Sequence, residues 1–188
     1  LPAVAVGLGA LGILVEITLQ CVPAFALRAV EQPEPLDDVV NNLLLRNEEA
    51  DHFEFYWFPH TDVALTKTNT RLPADRSRER LSPARQWVDD VLIGNGLHQV
   101  ACSVGRAVPA AIPGINRLSS RVWGDRSFTD QSTKVFTTQR GVRFREMEYA
   151  VPLESLPTAF ESLTALVADR GWRVSFPVEV RTAAADDI

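Results

Sequence analysis

The stretch His52-Phe-Glu-Phe-Tyr-Trp-Phe58, with Pro59-His-Thr-Asp62 and the run Val63 to Thr70 after it, decides the fold. Aromatic residues are common in strands, and here they occupy both alternating faces. The proline, histidine, threonine and aspartate that follow are typical of a turn. The sequence therefore predicts two neighbouring strands, Phe53 to Phe58 and Val63 to Thr70, joined by a short connection.

Two further strands and a helix are predicted before this pair. Apolar residues alternate from Ile13 to Gln20, and another strand is centred on Leu27 to Val30. Pro33 and Pro35 introduce a helix that spans Leu36 to Asn47. One face of this helix is apolar and carries Leu36, Val39, Val40, Leu43 and Leu44.

The last third predicts a hairpin, a helix and a final strand. Lys134 to Thr138 and Val142 to Val151 form the hairpin, and Leu156 to Asp169 form the helix. Gly171 follows at the position where left-handed backbone ends many helices, and Trp172 to Thr182 is the final strand. The fold class is therefore α+β, a mostly antiparallel sheet with helices on one face and a helical insert at about 73–126.

Composition excludes several classes of protein. Hydrophobic residues make up 46% of the 188 residues, enough for a core, and the net charge of −5 argues against a general nucleic-acid binder. Cys21, Cys102 and the three histidines lack the spacing of a metal site, so no metal is predicted and both thiols are expected to be unpaired. The arginine cluster Arg71 to Arg85 favours a solvated face, and a role at a phosphate or membrane surface is its alternative.

The apolar start, Leu1 to Val15, is too short for a membrane span and lacks the basic leading region of a signal peptide. Because the sequence opens inside this apolar segment, we expect further chain before it in the parent protein.

A glycine string lies near the start. Gly7-Leu-Gly-Ala-Leu-Gly12 matches G-x-G-x-x-G, but a dinucleotide-binding fold needs a helix at the third glycine. The alternating residues from Ile13 onward predict a strand instead. Two interpretations stay open for the glycines: close approach of the backbone to a bound group, and a bend before a strand.

Three stretches together resemble one group of flavoproteins. The segment from Gly7 to Leu19 looks like the closing part of the FAD-binding domain in the vanillyl-alcohol-oxidase superfamily. His52 to Asp62 and Arg143-Phe-Arg-Glu-Met-Glu-Tyr-Ala-Val-Pro152 resemble the substrate domain of the aldonolactone oxidoreductases. That group includes the L-gulono-, L-galactono- and D-arabinono-1,4-lactone oxidases and dehydrogenases, and the resemblance covers essentially the whole chain.

The resemblance implies that residues 1–25 end an FAD-binding domain and residues 26–188 form a substrate (cap) domain. It places most of the FAD domain, and a C-terminal His-Trp-x-Lys motif, outside this sequence. FAD is the implied cofactor, and Gly7, Gly9, Gly12 and Ile13 are the implied contacts to it.

The implied reaction oxidises a sugar 1,4-lactone by hydride transfer to flavin and gives an ascorbate-like product. Oxygen or a redox protein or dye accepts the electrons, and oxidase and dehydrogenase are not distinguished. The implied location is the cytoplasm, and peripheral membrane association stays open.

Pro177-Val-Glu-Val-Arg-Thr182 is similar to the Glu-x-Arg motif that lines the substrate site of this group. In a strand, residues two apart share a face, so Glu179 and Arg181 point together and Val180 points away. A guanidinium can hold a substrate oxygen and stabilise developing negative charge, and a neighbouring carboxylate can orient it. We assign these roles to Arg181 and Glu179. The alternative is an ordinary ion pair on a solvated sheet face.

Weaker candidates surround this motif. Tyr56 and Phe58 share a strand face on which they could line a sugar pocket, with core packing as the alternative. Histidine side chains can act as general bases near neutral pH, but the place of His60 in a turn favours a hydrogen-bonded structural role. Glu146 and Glu148 share a predicted strand face, where one could form a buried ion pair with an arginine.

Part of a sugar-lactone oxidoreductase is therefore the leading hypothesis. The alternatives are a non-catalytic α+β interaction module and a Rossmann-type nucleotide-binding protein.

Overall fold

The computed structural model describes residues 4, 7, 9–76, 82, 96, 98–122, 125–137 and 141–184. Its strands are β1 (Phe25–Pro35), β2 (His52–Trp57), β3 (Val63–Pro73), β4 (Arg126–Gln131) and β5 (Val178–Arg181). Its α-helices are α1 (Leu36–Asn41), α2 (Leu43–Glu49), α3 (His98–Ala107), α4 (Ile112–Val122), α5 (Ser132–Phe136) and α6 (Leu156–Asp169).

The five strands form one sheet in the order β4-β1-β3-β2-β5, and every neighbouring pair is antiparallel. Strand β1 pairs with β3 along its whole length but with β4 only from Ala26 to Glu31. Pro33 and Pro35 lie beyond that point, where one side of β1 is not paired with β4. A missing N–H is tolerated there, which explains how a strand in the middle of the sheet order contains two prolines.

One face of the sheet packs against three helices. Phe53, Phe55 and Trp57 of β2 point to this face, and Phe160 of α6 meets Phe55 and Trp57 edge to face at 5.6 and 5.4 Å. The rest of this core comes from α1, α2, β3 and β5 and consists of Val39, Leu43, Ala64 and Val180. Burial of these apolar side chains is the main stabilisation of the fold. The predicted α+β class and its mostly antiparallel sheet are confirmed, with α1, α2 and α6 on one face.

Part of the opposite face is covered by the short helix α5. Val135 packs against Leu27 and Ala29 of β1, and the ring of Phe136 lies 5.0 Å from that of His52. This face therefore has a small apolar cluster at one end. The row of charged residues described below crosses the same face beside this cluster.

The predicted helices and central strands are confirmed. The helix predicted from Leu36 is interrupted at Asn42, whose side chain donates to the carbonyl of Asp38. Helix α6 has the predicted bounds, and Gly171 follows it with φ +60°. The amides of Gly171 and Trp172 donate to the carbonyls of Ala168 and Val167, so the last turn is closed. The predicted helical insert contains α3 and α4, and most of its first part lies outside the described residues.

Four predicted strands are wrong or shorter. Residues 12–24 and 141–152 form no strand, and Lys134, predicted in a hairpin, lies in α5. Of the final strand predicted from Trp172, only Val178–Arg181 pairs with a neighbour. A strand exists only where another strand supplies ladder hydrogen bonds, and the described sheet places none beside these stretches. Residues 138–140 of the predicted hairpin lie outside the described residues.

The turn between β2 and β3 is tied to the segment that leads into β5. The buried Asn116 of α4 donates to the carbonyls of Pro59 (2.8 Å) and Val174 (2.9 Å). His60, with φ 73°, has its Nε2 3.1 Å from the carbonyl oxygen of Trp172. Because a carbonyl can only accept, Nε2 carries the proton. The prediction that His60 is a hydrogen-bonded turn residue is confirmed.

Candidate functional site

A row of alternating charge crosses all five strands on the face opposite the aromatic core. In sheet order it consists of Arg126, Glu31, Lys67, Glu54 and Arg181, each directly opposite the next in the strand register. We call these residues the charged row. Directly opposite residues of antiparallel strands have Cβ atoms about 4.5–5.5 Å apart, so each charge faces one of opposite sign.

Two ion pairs within the charged row are close. Arg126 donates to both carboxylate oxygens of Glu31, with Nε–Oε2 at 2.6 Å and Nη2–Oε1 at 2.9 Å. Lys67 Nζ lies 3.1 Å from Glu54 Oε1. All four side chains are half-buried, so solvent screens these pairs less than it screens pairs on an open surface.

The row ends at Arg181, and Glu179 lies beside it on β5. Arg181 Nη1 is 3.7 Å from Glu179 Oε1, while Val180 between them is buried in the core. The predicted division of this strand into a polar and an apolar face is therefore confirmed. Arg181 also donates to Glu148 at 2.7 Å, and both of these side chains are mostly exposed. Glu148 thus forms an exposed ion pair from outside any strand, whereas the sequence analysis allowed a buried ion pair of Glu146 or Glu148 on a strand face.

The pKa of Arg181 is raised, first by the hydrogen bond to Glu148 and then by the charges of Glu148 and Glu179. The guanidinium is therefore a permanent cation, which suits an electrostatic role.

Tyr56 completes a compact polar group at this end of the sheet. It stands opposite Glu179 in the register, and its hydroxyl donates to Glu54 Oε1 at 3.3 Å. Glu54, Tyr56, Glu179 and Arg181 thus occupy the corners of a two-strand unit, which we call the polar square. The guanidinium, the hydroxyl and the two carboxylates of this unit can bind a hydroxylated ligand through directed hydrogen bonds.

Phe58 does not belong to the polar square. Strand β2 ends at Trp57, and Phe58 beyond it is 1% exposed. The prediction that it shares a strand face with Tyr56 is wrong, because the strand ends before it. Its burial favours the alternative, which was core packing.

The glycine string forms an exposed turn. The amide of Ala10 donates to the carbonyl of Gly7 at 2.8 Å, and Gly9 and Gly12 have φ of 78° and 131°. Side chains built at Gly9 and Gly12 would meet nothing within 4 Å, and Ile13 is 92% exposed. Neither glycine packs against the polar square. No helix starts at Gly12, since residues 12–24 form none, so the Rossmann interpretation lacks its structural context.

Comparison with known proteins decides the family. The family profile of D-arabinono-1,4-lactone oxidase matches residues 17–188, which is most of the chain. The chain belongs to this family.

Several curated relatives agree with this assignment. An L-gulono-1,4-lactone dehydrogenase of Mycobacterium tuberculosis is 39% identical over 98% of this chain. The L-gulonolactone oxidases of Scyliorhinus torazame and Bos taurus are 31% and 30% identical over 96% and 99% of it. The chain spans about two fifths of the length of each relative, 42%, 41% and 42% respectively.

In this member of the D-arabinono-1,4-lactone oxidase family, sequence reasoning missed Glu54 and Lys67. Lys67 lies between Thr66 and Thr68, where no local contrast marks it, but Glu54 is a charge between Phe53 and Phe55 in a strand whose other face is apolar. That signal was available, because a charge alternating with buried aromatic residues must face away from the core. Their pairing with each other and with Arg181 required the register of three strands, which the sequence does not state.

Three further kinds of chemistry concern the described residues of this family member: metal binding, membrane insertion and thiol reactivity. No group of three or more His, Cys, Asp or Glu residues there could hold a metal ion. Within the same residues, no helix has the length and apolar character to cross a membrane. Cys21 and Cys102 are free thiols, as predicted, and burial raises the pKa of the Cys102 thiol. A raised thiol pKa argues against a nucleophilic role for Cys102.

Proposed function

We propose that this chain forms part of the substrate site of an FAD-dependent oxidoreductase that oxidises a sugar 1,4-lactone. The substrate class is L-gulono-, L-galactono- or D-arabinono-1,4-lactone, and oxygen or a redox protein accepts the electrons. The family and the printed activities of the relatives support the reaction class. The observation that carries the proposal is the pair Glu179 and Arg181, side by side on the polar face of β5.

The residues present are compatible with a bound FAD. At Gly9 and Gly12 open space replaces the side chain, so a flat group could approach the backbone there. We assign Gly7, Gly9, Gly12 and Ile13 to this contact. When bound, FAD supplies the acceptor for the hydride that leaves the carbinol carbon.

The polar square supplies orientation and charge. Arg181 would bind a substrate oxygen and stabilise negative charge that develops as the hydroxyl proton leaves. Glu179 holds the guanidinium from one side and can accept a hydrogen bond from a sugar hydroxyl. Tyr56 offers an aromatic edge and a hydroxyl to the same ligand, which is a common combination in sugar pockets.

Arg181→Lys in the full-length enzyme tests the electrostatic role. Lysine keeps the charge but lacks the planar fork, so we expect flavin reduction to fall about a hundred- to thousand-fold, or about 3 to 4 kcal/mol. Glu179→Gln should lose less, because an amide keeps the shape and still forms hydrogen bonds. The assay is anaerobic flavin reduction by each of the three lactones.

A melting curve for each variant separates function from folding. Arg181 is largely exposed, so its replacement should leave the melting temperature nearly unchanged. Near-normal reduction in Arg181→Lys would mean that the pair is an ordinary surface ion pair.

Replacement of Gly9 or Gly12 by valine tests the cofactor contact in the same enzyme. If the backbone approaches FAD there, the variants should retain less flavin after gel filtration, measured by absorbance. Unchanged retention would leave these glycines as a simple bend.

A further inference from the structure

Glu54 occupies an unusual place in the charged row. It stands opposite Lys67 on one side and opposite Arg181 on the other, so two cations flank one carboxylate. Lys67 lies 3.1 Å from Glu54 Oε1, and the hydroxyl of Tyr56 donates to the same oxygen at 3.3 Å. Its side chain is 21% exposed, against 59% for Arg181.

The side chains of Arg181 and Glu54 differ in how firmly their neighbours hold them in place. Arg181 is long and exposed, and its close partner Glu148 is 75% exposed and lies outside any strand. Exposed ion pairs contribute little to stability, so Glu148 is a weak constraint on the guanidinium. Glu54 is a half-buried charge on a paired strand, with Tyr56 as a hydrogen-bonded neighbour and Lys67 as an ion-paired one. Its carboxylate is therefore a negative charge held in a fixed place, which attracts the guanidinium of Arg181.

We propose that Glu54 is a positioning residue for the oxidation: from the strand opposite, it fixes the guanidinium of Arg181 and the hydroxyl of Tyr56 for the substrate. This inference rests on the proposed function. The pKa of Arg181 is raised first by its hydrogen bond to Glu148 and then by the charges of Glu148 and Glu179, and the charge of Glu54 acts in the same direction to a smaller extent.

Lys67 gives this arrangement its electrostatic balance. Glu54 shares its negative charge between Lys67 and Arg181, so it does not neutralise Arg181 completely. The charged row contains one more cation than carboxylate and ends with a cation at each edge of the sheet. Within the row, Lys67 thus takes part of the interaction with Glu54 that would otherwise fall on Arg181 alone.

The chain offers a matched control for a test. Glu31 is in the same row on the same face, its side chain is 22% exposed, and it pairs with Arg126 and faces Lys67. It is three strands from β5, or about 14 Å at normal strand spacing. Glu31→Gln and Glu54→Gln therefore remove the same charge from similar surroundings at different distances from Arg181.

We expect Glu54→Gln in the full-length enzyme to lower the maximal rate of anaerobic flavin reduction about tenfold, with a smaller change in KM. Glu31→Gln should leave that rate unchanged, while both variants lower the melting temperature by similar amounts. Glu54→Asp keeps the charge on a shorter side chain and should lose only about threefold. Equal rates in Glu54→Gln and the wild type, with the wild type active, would overturn the positioning role alone.

A double-mutant cycle shows whether Glu54 acts through Arg181. In an Arg181→Lys background the loss caused by Glu54→Gln should shrink to less than about twofold, because there is no guanidinium to position. Losses that simply multiply would overturn the inference. If Glu54→Gln does not fold, the cycle with Glu54→Asp gives the same decision: its loss must disappear in the Arg181→Lys background. A wild type reduced by none of the three lactones would overturn the proposed function, and this inference with it.

Discussion

The sheet and the stretch before it have similar sequence patterns and different structures. Ile13 to Gln20 alternates as regularly as the strands do, yet Ile13 and Val15 are 92% and 93% exposed and residues 12–24 form no strand. In β2, Phe55 is 1% exposed and has a paired strand on each side. The alternation of apolar and polar residues therefore predicts which side chains would share a face if a strand formed. Whether a face is formed depends on neighbouring strands that may be far away in the sequence.

The largest expected effect tests this contrast directly. Phe55→Ala in the 188-residue chain should lower the free energy of unfolding by about 3–5 kcal/mol, because it leaves a cavity beside Phe160. Val15→Ala removes apolar atoms that are already in water and should change it by less than about 0.5 kcal/mol. Urea unfolding followed by circular dichroism measures both. A loss of several kcal/mol in Val15→Ala would show that residues 12–24 are packed after all.

The segment that leads into β5 is intermediate between the exposed residues 12–24 and the buried strand β2. Residues 172–177 form no ladder, yet they are half-buried from Val174 onward, and Asn116 holds them to the β2–β3 turn. Asn116→Ala should cost about 1–3 kcal/mol, because two carbonyls lose their donor in a buried place. Ser103→Ala is the control, since its exposed hydroxyl only donates to Gln99 in its own helix. Equal stability of the two variants in urea would mean that β5 does not depend on this link.

The smallest effect concerns the part of β1 that extends past β4. Glu34 accepts hydrogen bonds from Arg46, at 2.8 Å for one nitrogen and with a second close contact, and from Thr66 at 2.7 Å. Burial alone would raise the pKa of Glu34, but these hydrogen bonds, with one from Gln32 and the charge of Arg46, lower it below 4.5. Glu34→Gln should cost about 1–2 kcal/mol at pH 7.

The pH dependence of that cost has a defined sign. A carboxyl with a lowered pKa in the folded state stabilises the protein above its unfolded pKa, and this stabilisation is lost as the pH falls through the folded value. The difference between wild type and Glu34→Gln should therefore be constant from pH 7 to about 5 and shrink below pH 4.5. Unfolding curves at several pH values measure it, with Glu161→Gln on the exposed side of α6 as control. A difference that grows on acidification would contradict the assignment.

The sequence predicted those parts of the fold that local rules determine. Strand β2 was recognisable from its aromatic residues, β3 from the turn that precedes it, and α6 from its spacing and Gly171. The shared face of Glu179 and Arg181 follows from a period of two, which needs no knowledge of neighbours. The wrong strands, predicted at Ile13 to Gln20 and Val142 to Val151, and the missed pairing of Glu54 with Arg181 share one cause. Strand pairing and register join positions far apart, such as Glu54 and Arg181, and no local pattern encodes that distance.

The charged row has a consequence for how the chain reaches this sheet. A slip of one residue in any strand would turn its charge into the aromatic core, and a slip of two would separate it from its partners. Neighbours in the order β4-β1-β3-β2-β5 are mostly not consecutive along the chain, so only the β2–β3 pair has its alignment limited by a short turn. The alternating charges thus favour a single register for the remaining strands, the one in which each charge lies opposite a charge of the other sign. The same residues that surround Arg181 would then select the correct sheet during folding, before any substrate is present.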